Sequence, residues 1–253
     1  VQDSLDIVLK ILSIQQFCTN NVGVGTTVDG GFAEYVIMRE KQVYKFGDNL
    51  SFMEAAMAEP ISCCLHGIDL CNIRPGCTVL VMGGGPIGMI MMQLAKNAGA
   101  ARVIMSEPVE EKRKQAMLLG ATKVINPMEE DVQAALDEYC ENVDVVIECV
   151  GNIHTQADAV KFAGKGATVM YFGLASPEDA YPLKPDDVFK KELTITSSFI
   201  NPYTFERAIR VLESGMLELE SLITNVVPLD DIVDVFTKPE FRRAGKAMIK
   251  ISD

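Results

Sequence analysis

The sequence predicts an α/β protein: a doubly wound parallel sheet inserted into a second, mostly β unit made from both ends of the chain. Three observations predict it. Through the middle of the 253-residue chain, short apolar β-rich runs alternate with segments of helical period. Residues 143–150 are almost continuously apolar, as a strand covered on both faces must be. The flanks read differently. Residues 21–50 place Gly23, Gly25, Gly30 and Gly31 around the alternating run Phe32-Ala33-Glu34-Tyr35-Val36-Ile37, a pattern of tight turns and antiparallel strands.

Taken in order, Thr78–Met82 is a strand running into Gly83-Gly84-Gly85, and Pro86–Asn97 is a helix that Gly99 stops. Arg102–Ser106 is a second strand, followed by a charged amphipathic helix over 109–119 closed by Gly120. Residues 123–126 form a third strand, 129–139 a helix, 143–150 the fourth strand and Ile153–Phe162 a helix. Strands over 167–172 and 193–199 complete a set of six, and crossovers of helical period make the sheet parallel. This unit is assigned residues 66–200, and residues 1–65 and 201–253 form the other. The tail adds a helix over 203–214 and short strands at 224–227 and 246–251.

Composition narrows the function. With 48% hydrophobic residues and 19 Gly, the chain is globular rather than disordered or collagen-like. A net charge of -12 argues against nucleic acid or an anionic membrane as partner. The longest apolar stretches are broken, 78–94 by four Gly and a Pro and 143–150 by two acids, so neither suits a span of ~20 apolar residues. Asp3 and Asp6 occupy the place of the positive n-region of a secretory leader, so none is expected. The odd count of seven Cys, several in apolar segments and none in a C-x-x-C pair, reads as reduced thiols in a cytoplasmic protein. Only two histidines occur, His66 and His154, and both read as structural.

The chemistry concentrates at Gly83-Gly84-Gly85-Pro86-Ile87-Gly88, a G-x-G-x-x-G between a strand and a helix. Gly83 permits the turn, Gly85 lets the backbone approach a pyrophosphate, and Gly88 allows close packing of the helix. The first-turn N–H groups after Pro86, beginning at Ile87, face the anion. Glu107 ends the second strand, 19 residues after Gly88, where a carboxylate accepts from adenosine ribose hydroxyls and repels a 2′-phosphate. NAD is therefore expected in preference to NADP. Lys112 and Arg113 either cover the adenine or form a solvated helix face. A glycine turn and an acid after the second strand also occur in S-adenosylmethionine enzymes, and that reading stays open on these residues alone. Strand ends at Phe172-Gly173-Leu174 and Phe199-Ile200 are placed to meet the nicotinamide half.

Several segments together resemble a known family. They are Gln16-Phe17-Cys18-Thr19-Asn20-Asn21-Val22-Gly23-Val24-Gly25, Asp29-Gly30-Gly31-Phe32-Ala33-Glu34-Tyr35, Ala58-Glu59-Pro60-Ile61-Ser62, residues 144–152 and Ala244-Gly245-Lys246. The family is the zinc-dependent medium-chain alcohol dehydrogenases, in the polyol and threonine dehydrogenase branch. The resemblance implies a Rossmann domain for NAD joined to a GroES-like catalytic domain, and hydride transfer between NAD and a polyol or other secondary alcohol. It implies a catalytic zinc that lowers the pKa of the substrate hydroxyl, with Glu59 as one ligand, and a structural zinc for which Cys18 is the last of four cysteines. It also implies dimers or tetramers. The other ligands have no counterpart. Residues 3–11 resemble the strand upstream of the catalytic cysteine, so a block is expected to be missing between Ile11 and Gln15. An NAD-binding fragment without turnover is the alternative. A zinc-free quinone or enoyl reductase on the same fold is another, against which Glu59-Pro60 and Cys18 speak.

Overall fold

A computed structural model describes residues 15–243 and 245–251. The strand expected over 3–11 and Ala244 lie outside the described residues, and so does most of the junction between Ile11 and Gln15. The chain divides into two compact units, Pro60–Phe199 and a second made of Val1–Glu59 with Ile200–Asp253.

In the second unit the described residues up to 50 form turns rather than strands. Residues 21–50 contain no strand, only an isolated bridge between Val24 and Val28, so the antiparallel strands expected there are not formed. The alternation of 32–37 is real, but an alternating run becomes a strand only when a neighbour takes up its N–H and C=O groups. Its apolar members stay exposed, Tyr35 at 91% and Ile37 at 98%. Ser51 then starts α1 (Phe52–Ala55) with a reciprocal capping box to Glu54.

Helix α2 (Ala58–Cys71) leads into the α/β unit. Strands β1 (Thr78–Met82), β2 (Arg102–Ser106), β3 (Lys123–Ile125), β4 (Val145–Glu148), β5 (Thr168–Tyr171) and β6 (Thr194–Ser197) form one sheet in the order β3-β2-β1-β4-β5-β6. Every neighbouring pair is parallel. Helices α3 (Pro86–Asn97), α4 (Glu110–Leu118), α5 (Val132–Tyr139) and α6 (Ile153–Phe162) connect the first five strands. A further helix, α7 (Pro185–Lys191), precedes β6 and was not legible in the sequence.

Side-chain alternation divides the core into two layers. Leu80, Ile104, Ile125, Val146 and Val169, one from each of β1 to β5, pack with Leu136 of α5 and Phe162 of α6. Their sequence neighbours Val79, Val81, Val103, Met105, Ile147 and Met170 face the other way and are also buried. Burial on both faces is why β1 and β4 carry few polar residues. Met89, Met91 and Met92 of α3 are fully packed, as core filler should be.

The second unit resumes with α8 (Phe205–Glu213), whose apolar stripe of Ala208, Ile209 and Leu212 is buried. Strand β7 (Ile223–Pro228), helices α9 (Ile232–Thr237) and α10 (Pro239–Arg243) and strand β8 (Lys246–Lys250) follow. β7 and β8 pair in parallel. Parallel pairing needs a crossover, and the short helices α9 and α10 supply it.

Candidate functional site

The site begins at the carboxyl end of β1. Gly83 has φ +99°, and a Cβ there would come within 2.8 Å of the Val150 side chain. Only glycine accommodates both the turn and that contact. Gly88 is equally constrained: its Cβ would lie 1.8 Å from the Gly83 carbonyl oxygen. The glycine therefore packs the helix against the loop's own backbone, with Val81 of the sheet behind it at 3.7 Å. Gly85 differs from both. It is the N-cap of α3 with φ −72°, and nothing stands within 4 Å of the position of its Cβ. That open space is what a close backbone approach by a pyrophosphate requires. Pro86 occupies the first helical position, where no N–H is needed, and the N–H groups of Ile87 and Gly88 belong to the turn that a helix leaves without internal partners.

Glu107 stands beside this loop. It is 5% exposed, and its two oxygens accept from Gly84 N–H at 2.6 Å and Val109 N–H at 2.8 Å. A carboxylate offers about four acceptor sites, so capacity remains for ribose hydroxyls. Gly84 is glycine for the same reason, because its Cβ would lie 2.9 Å from Glu107 Cγ. Arg113 neither lies free nor stands as a solvated side chain: its Nη1 donates to the carbonyl oxygens of Glu107 and Pro108 and so caps the end of β2. Lys112, on the same helix, is half-buried.

Beyond β1 the carboxyl ends of β4 and β5 adjoin each other. Phe172 packs against α2, where a Cβ on Gly67 would meet its ring at 3.0 Å. Gly173 lies against Gly151 and Glu148, and the Leu174 side chain is exposed. Phe199 and Ile200 follow β6, both exposed. Ile200 falls in the other unit by the division of the chain, has φ +49°, and lines a cavity of about 170 Å³ with Gln16, Asn201 and Tyr203. The sequence reading missed Glu148, a fully buried acid at the end of β4. Its signal was an acid inside an apolar strand, where a charge needs a local purpose.

The metal half of the expectation is not assembled. Glu59 is exposed in the first turn of α2, with Cys63 and His66 at four and seven residues further on. That spacing shares a helix face, yet no group of three or more His, Cys, Asp or Glu side chains that could hold a metal ion exists among the described residues. Cys18 belongs to no such group either. A zinc site needs about three or four protein ligands, so the described residues do not fit the metal. Desolvation holds the His66 imidazole below its ordinary pKa, only partly countered by Asp69. His154 is exposed in the first turn of α6, its N–H donating to the Asn152 side chain.

Comparison with known proteins decides the lineage. A sequence model described as zinc-binding dehydrogenase matches residues 86–214, half of the chain, from the start of α3 to just past α8. The chain belongs to the zinc-binding dehydrogenase family. Within it, D-arabinitol dehydrogenase 1 of Uromyces fabae is 29% identical over 245 residues, covering 92% of this chain and 68% of that protein. L-threonine 3-dehydrogenase of Caldanaerobacter subterraneus subsp. tengcongensis is 32% identical, covering 92% and 65%. Among solved structures, one described as a zinc-binding dehydrogenase of Sinorhizobium meliloti 1021, bound to NADP, is 35% identical with a TM-score of 0.92, covering 96% of this chain and 72% of its own. The chain thus spans about two thirds of the length of the curated relatives it matches.

Proposed function

We propose that this protein is an NAD-linked oxidoreductase of the family, exchanging a hydride with a polyol or other secondary alcohol. The observation that carries the proposal is the opening at Gly85, framed by two glycines whose Cβ positions are already occupied and by the Glu107 carboxylate. The backbone of Gly85, Ile87 and Gly88 would hold the pyrophosphate, and the dipole of α3 favours its charge. Glu107 would take the adenosine ribose hydroxyls. The nicotinamide, when bound, supplies the hydride acceptor. Phe172, Gly173, Leu174, Phe199 and Ile200 would border it, and Lys112 would shield the adenine. Polyol and threonine dehydrogenases among the relatives favour a hydroxylated small molecule as substrate.

Zinc is the family's metal, but the described residues give it no ligand set. That same observation favours a second reading, in which this chain binds NAD(H) without turnover. We assign residues 66–200 to the nucleotide and residues 1–65 with 201–253 to an incomplete catalytic domain. None of the seven cysteines forms a disulfide, which favours a reducing, cytoplasmic setting, and no helix among the described residues is long and apolar enough to cross a membrane. The acidic balance favours no nucleic-acid or membrane partner, and the resemblance favours a homodimer or homotetramer.

Calorimetric titration with NADH and NADPH tests the nucleotide site. NADH is expected to bind more tightly, because Glu107 meets a 2′-phosphate with like charge. Glu107→Gln should narrow the gap, and it should cost about 1–3 kcal/mol of stability, because an amide cannot accept from both Gly84 and Val109. Equal or tighter NADPH binding by the wild type would defeat the assignment. The NADP-bound relative makes this a demanding test.

A further inference from the structure

Glu148 is 0% exposed at the last position of β4, and its partners are backbone N–H groups and a hydroxyl. Oε1 accepts from Val150 N–H at 2.8 Å and Gly151 N–H at 3.0 Å, with Thr155 Oγ1 at 2.9 Å. The Thr155 hydroxyl also lies 2.8 Å from the Asn152 carbonyl oxygen, so its one proton serves either acceptor. A carboxylate this deep must keep its hydrogen bonds, because burying it without them is prohibitive. The loop after β4 is therefore tied down from below.

The loop after β5 rests on the same residue. Phe172 and Gly173 both donate N–H to the Glu148 carbonyl oxygen, at 2.9 and 2.8 Å. A Cβ on Gly173 would stand 2.8 Å from Glu148 Oε2 and 2.2 Å from Gly151 N, and a Cβ on Gly151 would stand 2.6 Å from Leu174 O. Gln156 of α6 closes the arrangement, its Nε2 donating to Gly173 O at 3.2 Å. The two loops thus form one body, joined backbone to backbone over a single buried charge.

Its location matters. The glycine turn abuts it at Val150, and β1 lies between β2 and β4 in the sheet. Glu107 is at the β2 side, so a dinucleotide anchored there and at the start of α3 extends its second nucleoside over β4 and β5. Peptide planarity adds a consequence. With the N–H groups of Val150 and Gly151 turned toward Glu148, the carbonyls of Cys149 and Val150 point away from it. They are acceptors, and the nicotinamide riboside carries hydroxyl and carboxamide donors.

We propose that Glu148 is a positioning residue for the nicotinamide half of the cofactor, fixing the two loops on which that half rests while leaving the adenosine half untouched. This rests on the assignment of NAD(H) to the site. The test is calorimetry of NADH and of ADP-ribose, which lacks the nicotinamide, against wild type, Glu148→Gln, Thr155→Val and Thr155→Ser. Glu148→Gln should weaken NADH about tenfold or more and ADP-ribose less than about twofold, the size expected when a hydrogen bond to a charge is lost. Thr155→Val should shift NADH the same way by less, and Thr155→Ser should restore it. Parallel losses for both ligands, or unchanged NADH affinity in a folded variant, would overturn the role of Glu148. If Glu148→Gln does not fold, the Thr155 pair decides by the same criterion. A wild type that binds neither ligand would instead overturn the nucleotide assignment itself.

Discussion

Gly85 and Gly88 sit three residues apart and have opposite reasons to be glycine. Gly85 has an ordinary φ of −72° and empty space where a side chain would go. Gly88 has the Gly83 carbonyl oxygen 1.8 Å from that position. Alanine should therefore separate binding from folding. Gly85→Ala is expected to change stability by less than about 1 kcal/mol, the scale of an N-cap substitution. It should weaken NADH by at least about tenfold, or ~1.4 kcal/mol, because the methyl occupies the pyrophosphate approach. Gly88→Ala should cost roughly 1–3 kcal/mol or more of stability, as overpacking does. Thermal melts paired with NADH titrations check both. An unstable Gly85→Ala protein, or one that binds NADH as wild type does, would mean that the opening serves no ligand. All three motif glycines were legible from spacing alone. That Gly84 is held by Glu107 was not, because the partners are 23 residues apart and meet only when β1 and β2 pair.

At the scale of elements, the sequence was readable where a strand is buried on both faces and opaque where it depends on a partner. β1, β2, α3 and α6 have the limits that their residues predict, since apolar continuity and helical period are local properties. Residues 32–37 alternate as well as any strand, yet no ladder forms, because pairing is not a property of one segment. Helix α7 was missed because Pro185-Asp186-Asp187 reads as a turn, although proline also suits a first helical position. Helix α2, which enters the α/β unit, carries a testable burden at its last residue. Burial pushes the Cys71 thiol from the usual 9.0 up to about 12. A raised folded-state pKa gives stability that is fully present below pH 9 and is lost as the pH rises toward 12, because the unfolded thiol ionises first. Urea unfolding between pH 7 and about 10.5 should therefore show falling stability above pH 9, with a shallower fall in Cys71→Ala. Identical alkaline slopes for the two proteins would show that Cys71 ionises as easily folded as unfolded.

On the scale of the whole molecule, the two units stand in different relation to the family's chemistry. The α/β unit has a six-stranded parallel sheet, an open glycine loop and a seated acid, the features by which such a fold presents a dinucleotide site. The described residues of the other unit offer Glu59 and Cys18 but gather no metal-binding group around either. Oxygen or sulfur donors taken singly hold zinc weakly, since affinity comes from three or four ligands fixed together. If the polypeptide is these 253 residues alone, it should bind NADH near one equivalent, retain well under one equivalent of zinc after gel filtration and leave NAD unreduced with polyols, the turnover proposed for the protein then requiring ligands that these residues do not supply. Supplying zinc in the assay should leave that rate unchanged, because added metal cannot create ligands. Elemental analysis, intact mass and NADH titration on one preparation read all three quantities together. Stoichiometric zinc with polyol-dependent NAD reduction at an intact mass of 27.7 kDa would show that this chain builds its metal site from residues outside the expected pattern. Zinc and turnover at a larger mass would place the missing ligands in polypeptide beyond these 253 residues.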